Sequence, residues 1–485
     1  MRSLTIERAA FIILFALLFA LATRIPIDTD TWWHIRSGEY TLTQGIIDTD
    51  PFSFTMRGEA WINHSWGAQV VMLAFWRVAG HFGLAVFTSL LATGGMYMVY
   101  RMSTGNVYLR GFALVIGAAT AAVFWSPRPQ MFSFFLSALL LYLLHLYKRE
   151  KVDRLWLIVP LVWLWANLHA GFSIAFILMG GMIAGEVLAN IFNPQGENTI
   201  VWSRLRKLVI VALVSAAVIV INPYGLQIYG VPFQTVSIGA LQEFIQEWNS
   251  PNFHERQTWP FIGLLLGVLG AAGASKRRLD WSDFMLVSGT TFMALTAGRN
   301  IALFAVVATP VLTYHLESVL QERGWVLETV KRPTRMMARI NALLVALVLL
   351  GSLAKVLLVL DAETVAEGQA MFLPVEATDY LKSSDLSGPM FNSYNWGGYL
   401  ILNLPDEPVF VDGRTDLYGN DFLQRYLRTA VGGDDWRETL DEYGIRLVFV
   451  EAQSGLARHL RDEPDWTLNH EDDLAVIFSR EATNE

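Results

Sequence analysis

A chain of 485 residues that is 53% hydrophobic and only 16% charged, with a mean hydropathy of +0.37, lies outside the mixture a water-soluble domain needs to wet its surface. Its net charge of −8 is uneven: Asp and Glu gather after Asp361, while the apolar part carries short Arg and Lys clusters, a pattern that predicts two domains in different solvents and argues against nucleic-acid partners. Cysteine is absent, which excludes disulfides, Cys-ligated metals and thiol nucleophiles and leaves the redox compartment open.

In chain order, Met1 to Thr23 combines a basic start, an apolar core and small residues, so a cleaved signal peptide competes with a retained first helix. The retained helix is favoured, because more spans follow and Arg24-Ile25-Pro26 suits cleavage poorly. Apolar runs of roughly 17 to 25 residues cross the hydrocarbon as helices that satisfy their own backbone, and about eleven candidates meet that yardstick loosely. They lie near Ala9 to Thr23, Phe82 to Tyr100, Tyr108 to Trp125, Met131 to Tyr147, Leu155 to Leu168, Gly171 to Ile191, Leu208 to Ile221, Trp259 to Ala274, Trp281 to Ala297, Ile301 to His315 and Ile340 to Leu360. Basic residues (Arg2 and Arg8, Arg101 and Arg110, Lys148 to Arg154, Arg204 to Lys207, Lys276 to Arg278, and Arg323 to Arg339 with Lys331 and Arg332) fall in alternate connections. The opposite connections hold only Arg24, Arg36, Arg57, Arg128, Arg256 and Arg299. The positive-inside rule then places the N-terminus in the cytoplasm and the C-terminal part outside, provided Ser65 to Gly80, with Arg77, lies at the interface instead of crossing.

The expected architecture is an α-helical polytopic membrane domain over 1–361, with long outer connections at 24–64 and 222–257, and an extracytoplasmic soluble α/β domain over 362–485. In that domain, Pro408 to Val411, Arg446 to Glu451 and Leu474 to Ser479 read as strands. Val375 to Lys382, Asp435 to Tyr443 and Gly455 to Asp462 read as helices.

Chemistry concentrates in the expected outer connections. Asp28-Thr29-Asp30-Thr31-Trp32-Trp33-His34 follows the first span, and Ile-Asp-Thr-Asp recurs at Ile47 to Asp50. Two carboxylates spaced Asp-x-Asp can clamp a divalent cation or divide into base and orienting roles, whereas the same residues also make turns and Trp32 and Trp33 suit interface anchoring. Asn63-His64, Arg128 between two prolines, Asn167 and His169 in a tight turn, Asn222-Pro223, Glu247-Trp248 and Arg299-Asn300 stand on the same side. Ionisable groups at membrane depth are costly, and this set offers acids, imidazoles and guanidiniums suited to a phosphate; each also has a structural reading as helix stop or snorkelling anchor. In the tail, Phe391-Asn392-Ser393-Tyr394-Asn395-Trp396-Gly397-Gly398-Tyr399 could be a close-approach turn or a sugar-stacking platform, and Asp412-Gly413-Arg414 a binding edge or an internal ion pair.

This layout resembles the GT-C superfamily of polytopic glycosyltransferases, which includes protein O-mannosyltransferases, aminoarabinose transferases and the oligosaccharyltransferase catalytic subunit. The acidic pair beyond the first span, the long first outer loop and the terminal soluble domain carry the resemblance, together with the Asp28 to His34 string. The sequence has Asp-x-Asp where mannosyltransferases have Asp-Glu, and it lacks a Trp-Trp-Asp-Tyr-Gly string. The resemblance implies transfer of a sugar from a polyprenyl-phosphate donor to an acceptor hydroxyl at the outer face of the cell membrane, with inversion. Asp28 or Asp30 would be the base; His34, His64, Arg128, Asn167, His169, Glu247 and Arg299 would bind donor phosphate or substrate; a divalent cation through Asp28 and Asp30 is possible, and no other cofactor is assigned. The rival readings are a transporter or flippase and a non-catalytic envelope-assembly protein, although no paired repeat of the transporter kind is visible.

Overall fold

The computed structural model describes residues 4–237, 239, 246–325 and 333–481; Arg2, Lys331, Arg332 and part of the 222–257 connection lie outside the described residues. Every apolar segment expected from the sequence coincides with a helix to within a few residues. The first eight helices are α1 (Ile6–Ala22), α2 (Thr31–Gln44), α3 (Trp66–Met102), α4 (Val107–Ala121), α5 (Gln130–Lys148), α6 (Ile158–Leu168), α7 (Ser173–Phe192) and α8 (Trp202–Val218). Among the described residues, seven helices are long and apolar enough to cross a membrane: Trp66–Met102, Val107–Phe124, Gln130–Lys148, Ala170–Phe192, Arg256–Ala274, Gly298–Glu322 and Arg335–Val359. Others expected to span are helical but shorter, with 17 residues in α1 and α8, 16 in Trp281–Thr296 and 11 in α6. The chain is a multi-pass α-helical membrane protein with a small mixed sheet near its C-terminus.

The described chain divides into two compact units. One contains Met1–Arg24, Ala85–Gly225 and Ile245–Val359. Its centre is the Ile301–Glu322 helix, buried along most of its length and packed on α4, Trp259–Ala274 and Trp281–Thr296. Lipid gives helices little hydrophobic reason to associate, so close packing decides. A Cβ on Gly117 of α4 would lie 2.3 Å from Thr309 Oγ1, and one on Gly185 of α7 would lie 2.3 Å from Ser282 Cα. The Arg335–Val359 helix lies against α1, where Asn341 Nδ2 donates to Leu4 O at 3.0 Å and Lys355 Nζ to Ala20 O at 2.5 Å. Its Leu343, Leu347, Leu350 and Leu358 stay exposed, as a lipid-facing surface requires.

The other unit contains Ile25–Leu84, Leu226–Phe244 and Leu360–Glu485. The soluble tail, read from sequence as starting near 362, thus shares its compact unit with the first long connection. Its sheet has strand order β1-β2-β4-β3, with β1 Met390–Asn392, β2 Leu447–Glu451, β3 Thr467–Glu471 and β4 Ala475–Ser479. The β1–β2 pair is parallel, with Phe391 opposite Val448; β2–β4 and β3–β4 are antiparallel, with Phe449 opposite Ile477. One core takes Trp33, Ile47, Phe52 and Trp61 from the first connection and Trp396, Val409, Phe449 and Ile477 from the tail. Trp32 and Trp33, which suit interface anchoring by sequence, are only 2% and 6% exposed: Trp33 fills this core, and Trp32 fills a second one with Ile35, Leu73, Leu84, Leu373 and Tyr399.

One local difference from the sequence reading has a physical cause. Pro408 to Val411 does not form a ladder strand; Val409 makes isolated bridges to Ser53 and Met390. Asn392 substitutes a side chain for the ladder, accepting from Phe410 N at 2.7 Å and donating to Val411 O at 2.8 Å. Helix α3 breaks at Ala79 and Gly80, the latter at φ 54, a left-handed value that glycine adopts without strain. The stretch from Trp66 to Val78 is therefore a separate helical segment preceding the apolar one.

Candidate active site

Thr23 ends α1 by donating its hydroxyl to Phe19 O at 3.0 Å, and the chain then runs extended to a turn before α2. In that turn Asp28 Oδ1 accepts from Asp30 N at 3.0 Å, and Asp30 Oδ1 accepts from the Trp33 indole at 3.2 Å. Asp28 and Asp30 are both half-buried. The tail presses on this turn through glycines. A Cβ on Gly413 would lie 1.9 Å from Asp30 Oδ1 and one on Gly398 2.7 Å from Thr29 O, while within the tail one on Gly397 would lie 2.0 Å from Val411 O. These positions thus tolerate only the smallest residue, which explains the paired glycines of the Phe391 to Tyr399 string as close approach.

Next to Gly413, a buried ion triad fixes the approach. Arg414, 1% exposed, donates Nε and Nη2 to the two oxygens of Asp412 at 2.8 and 2.7 Å and Nη1 to Asp50 Oδ1 at 2.5 Å. Its guanidinium also lies 5.2 Å from the Phe52 ring centre and 4.8 Å from that of Trp61. Asp50 accepts further from Phe52 N at 3.1 Å, from Ser53 N at 3.0 Å and from the Ser53 hydroxyl. Tyr418 donates its hydroxyl to Asp412 at 2.7 Å. Despite burial, the two carboxylates hold the Arg414 pKa well above its ordinary value, while burial and Asp412 push the Tyr418 phenol far up. Asp50 and Asp412 therefore serve as anchors between the first connection and the tail.

His34 is buried, and Gln69 Nε2 reaches its Nδ1 at 3.2 Å. The same amide pairs reciprocally with Asn63, at 2.7 and 2.8 Å. An amide nitrogen only donates, so His34 Nδ1 accepts and its proton sits on Nε2. His64 Nδ1 lies 2.9 Å from Ser65 Oγ. Nothing in sequence spacing signals the Gln69 partnership, which depends on α3 packing beside α2.

The remaining candidates belong to the first-described unit. Arg128 Nη1 lies 3.6 Å from Glu247 Oε2, and the Arg299 guanidinium stacks 4.1 Å from the Trp248 ring centre. Gly298 N donates to Asn249 O at 2.9 Å, tying the two short turns that carry these residues. Burial pushes the Glu247 carboxyl up, but Arg128 and then Arg299 outweigh it and hold its pKa below the ordinary value. The cluster sets two guanidiniums beside one carboxylate, and guanidiniums match the geometry of a phosphate. His169 Nδ1 accepts from Gly171 N at 3.0 Å and sits 2.8 Å from Ser133 Oγ, which takes the Trp165 indole hydrogen at 2.7 Å. With Nδ1 accepting, His169 carries its proton on Nε2. Asn167 Nδ2 donates to Trp163 O at 2.9 Å and Ile221 O at 3.3 Å, while Asn222 donates to Asn167 Oδ1 at 3.3 Å, which joins the end of α6 to the turn after α8. Among the described residues, no group of three or more His, Cys, Asp or Glu side chains is arranged to hold a metal ion.

No protein-family model matches the chain, and no curated protein matches its sequence. Solved structures do. The archaeal oligosaccharyltransferase AglB from Archaeoglobus fulgidus, in complex with an inhibitory peptide and a dolichol-phosphate, aligns with TM-score 0.59 at 10% identity, over 98% of this chain and 74% of that one. ArnT from Cupriavidus metallidurans, bound to undecaprenyl phosphate, aligns with TM-score 0.51 at 13% identity, over 98% and 97% of the two chains. The fold is that of the GT-C glycosyltransferases. Another GT-C neighbour, the mycobacterial arabinofuranosyltransferase AftD, aligns with TM-score 0.50 at 14% identity, over 99% of this chain but 42% of its own. At such identities it is the GT-C fold that is shared, and the chemistry has to be argued from this chain's residues.

Proposed function

We propose that the protein is a membrane glycosyltransferase that moves a sugar from a polyprenyl-phosphate donor to an acceptor hydroxyl at the outer face of the membrane. The observation that carries this reading is the Asp28–Asp30 turn directly after the first apolar helix, held by Trp33 and pressed by Gly413, in a chain that aligns over nearly all of ArnT. The lipid phosphates in the AglB and ArnT structures support a donor of the same class.

In the proposed reaction the acceptor oxygen forms a bond to the anomeric carbon while the bond from that carbon to the phosphate oxygen breaks. A carboxylate of the Asp28–Asp30 pair takes the hydroxyl proton, and polyprenyl phosphate departs with the bonding electrons. Attack opposite the leaving group inverts the anomeric centre. The Arg128, Glu247 and Arg299 cluster is the proposed phosphate site: its guanidiniums stabilise the charge that grows on the leaving group, where preorganised donors act most strongly. The neutral His169, with a proton on Nε2, is a further donor in this proposal, and His34, His64 and Asn167 are proposed to bind donor phosphate or substrate.

The test is turnover of a panel of polyprenyl-phosphate sugars by purified protein and by Asp28→Asn and Asp30→Asn variants. Loss of about 10²-fold or more in either variant, with unfolding temperature kept, identifies the base. Turnover unchanged in both variants refutes the assignment, and no turnover of any donor by the native chain refutes the reading itself.

A further inference from the structure

At the other end of the helix that follows Arg128 lies a second polar site. Helix α5 has 19 residues, so Arg128 and Arg149 mark ends about 28 Å apart, close to the thickness of a hydrocarbon core. Around Arg149 lies a half-open cavity of about 420 Å³, within the range of small-ligand sites.

Its wall mixes both signs of charge. Arg149 Nη2 reaches Asp283 at 2.5 Å, and Arg277 Nη1 donates to Tyr314 O at 2.9 Å and to Glu317 at 3.3 Å. The two guanidiniums approach the same Tyr314 ring, at 4.9 and 4.6 Å from its centre. Each uses only some of its five N–H donors in these bonds. Glu197 adds another carboxylate, and Thr104 Oγ1, also on the wall, is buried without a hydrogen-bond partner. Three carboxylates facing two guanidiniums disfavour a purely anionic guest and suit one that carries a cation beside its phosphate. The cavity continues into a mostly apolar crevice of about 70 Å³ lined by Leu141, Leu144, Met182, Leu286 and Val306, with Lys148 and Ser282 also on its wall, which shares His145, Arg149 and Asp283 with it. A polar mouth over an apolar crevice fits an amphiphile.

We infer that this cavity binds a phospholipid whose headgroup joins a phosphate to a primary ammonium. The phosphate lies against Arg149 and Arg277, the ammonium donates to Glu317 and Glu197, and the first methylenes enter the crevice. The quaternary ammonium of a choline headgroup has no N–H to donate and so fits less well. This inference stands apart from the proposed transferase activity.

The test uses the delipidated full chain in detergent, titrated with short-chain phosphatidylethanolamine, phosphatidylcholine or phosphatidylglycerol, or with chain-free glycerophosphoethanolamine, and read by native mass spectrometry. Phosphatidylethanolamine is expected to be retained at least about tenfold better than the other three, the worth of one charged hydrogen bond. Arg277→Gln and Glu317→Gln should each lower its retention about tenfold, while Arg8→Gln at the exposed start of α1 leaves it unchanged. Equal or tighter binding of phosphatidylglycerol, equal binding of all headgroups, equal binding without chains, or no binding overturns the inference. Because Glu317 is partly exposed at the cavity wall, its variant keeps the test valid if Arg277→Gln fails to fold.

Discussion

Replacing Arg414 by Met tests whether the first connection and the tail fold as one body. Arg414 and Asp50 are joined across 364 positions of sequence, and both side chains are fully buried. The substitution keeps most of the volume but removes all three side-chain hydrogen bonds, Nε and Nη2 to Asp412 and Nη1 to Asp50. Asp50 would retain its bonds from Phe52, Ser53 N and the Ser53 hydroxyl, and Asp412 those from Arg414 N and Tyr418, so neither carboxylate is stripped entirely. Two buried charges without a counter-charge nevertheless cost about 3–5 kcal/mol by the usual scale for breaking a buried ion pair. Asp50→Asn should cost less, roughly 1–3 kcal/mol, because the Arg414–Asp412 fork survives. The double variant should show coupling of at least about 1 kcal/mol, since the residues touch. The assay is thermal or chemical unfolding of the purified chain together with limited proteolysis of residues 45–60. An Arg414→Met variant that unfolds within about 1 kcal/mol of the native protein, with that loop still protected, would refute the idea that the triad holds the two segments together.

Gly413→Ala places a methyl group 1.9 Å from Asp30 Oδ1, so Asp30 must rotate or the 412–414 loop must shift. The expected cost is about 1–3 kcal/mol in stability and up to about 10²-fold in turnover if the acid moves by an ångström, read by unfolding and donor turnover in parallel. Glu247, held below its ordinary pKa by Arg128 and Arg299 against the effect of burial, contributes stability that is present above the unfolded value, about 4.3, and fades as pH falls through the lower folded value. The Glu247→Gln variant should accordingly show a flatter dependence of unfolding temperature on pH between about 6 and 3 than the native chain. Tyr399 shows the opposite sign: burial, with Asp379 adding to it, pushes its phenol up to about 12. Its contribution is complete below the ordinary value near 10 and is lost as pH rises through the folded value, so Tyr399→Phe should unfold less readily than the native chain at high pH.

Much of the membrane part was legible because lipid imposes a one-dimensional rule: a segment that crosses must be apolar and must satisfy its own backbone, whatever its neighbours. The helices near Met131 to Tyr147 and Ile301 to His315 follow from that rule alone. In the tail, strands β2 and β4 were visible as apolar runs, whereas β1, only three residues long, and β3, with no buried residue, carry no such signal. Among the candidate residues, the sequence marked Asp28, Asp30, Arg128, Glu247 and Arg299 by charge where charge is costly. It could not assign their partners. The Gln69 amide at His34, Ser133 between His169 and Trp165, and Trp248 under Arg299 come from different helices or turns.

Sequence by itself determined the solvent, the apolar helices and the costly polar groups, because each depends on the composition of one local segment. Only the tertiary structure decided that Ile25–Leu84 and the C-terminal residues share a compact unit, that Asp50 pairs with Arg414, and that glycines at 398 and 413 let the tail press on the acidic turn. Those facts are contacts between segments hundreds of residues apart. A buried charge declares that it needs a partner, but only packing selects which one.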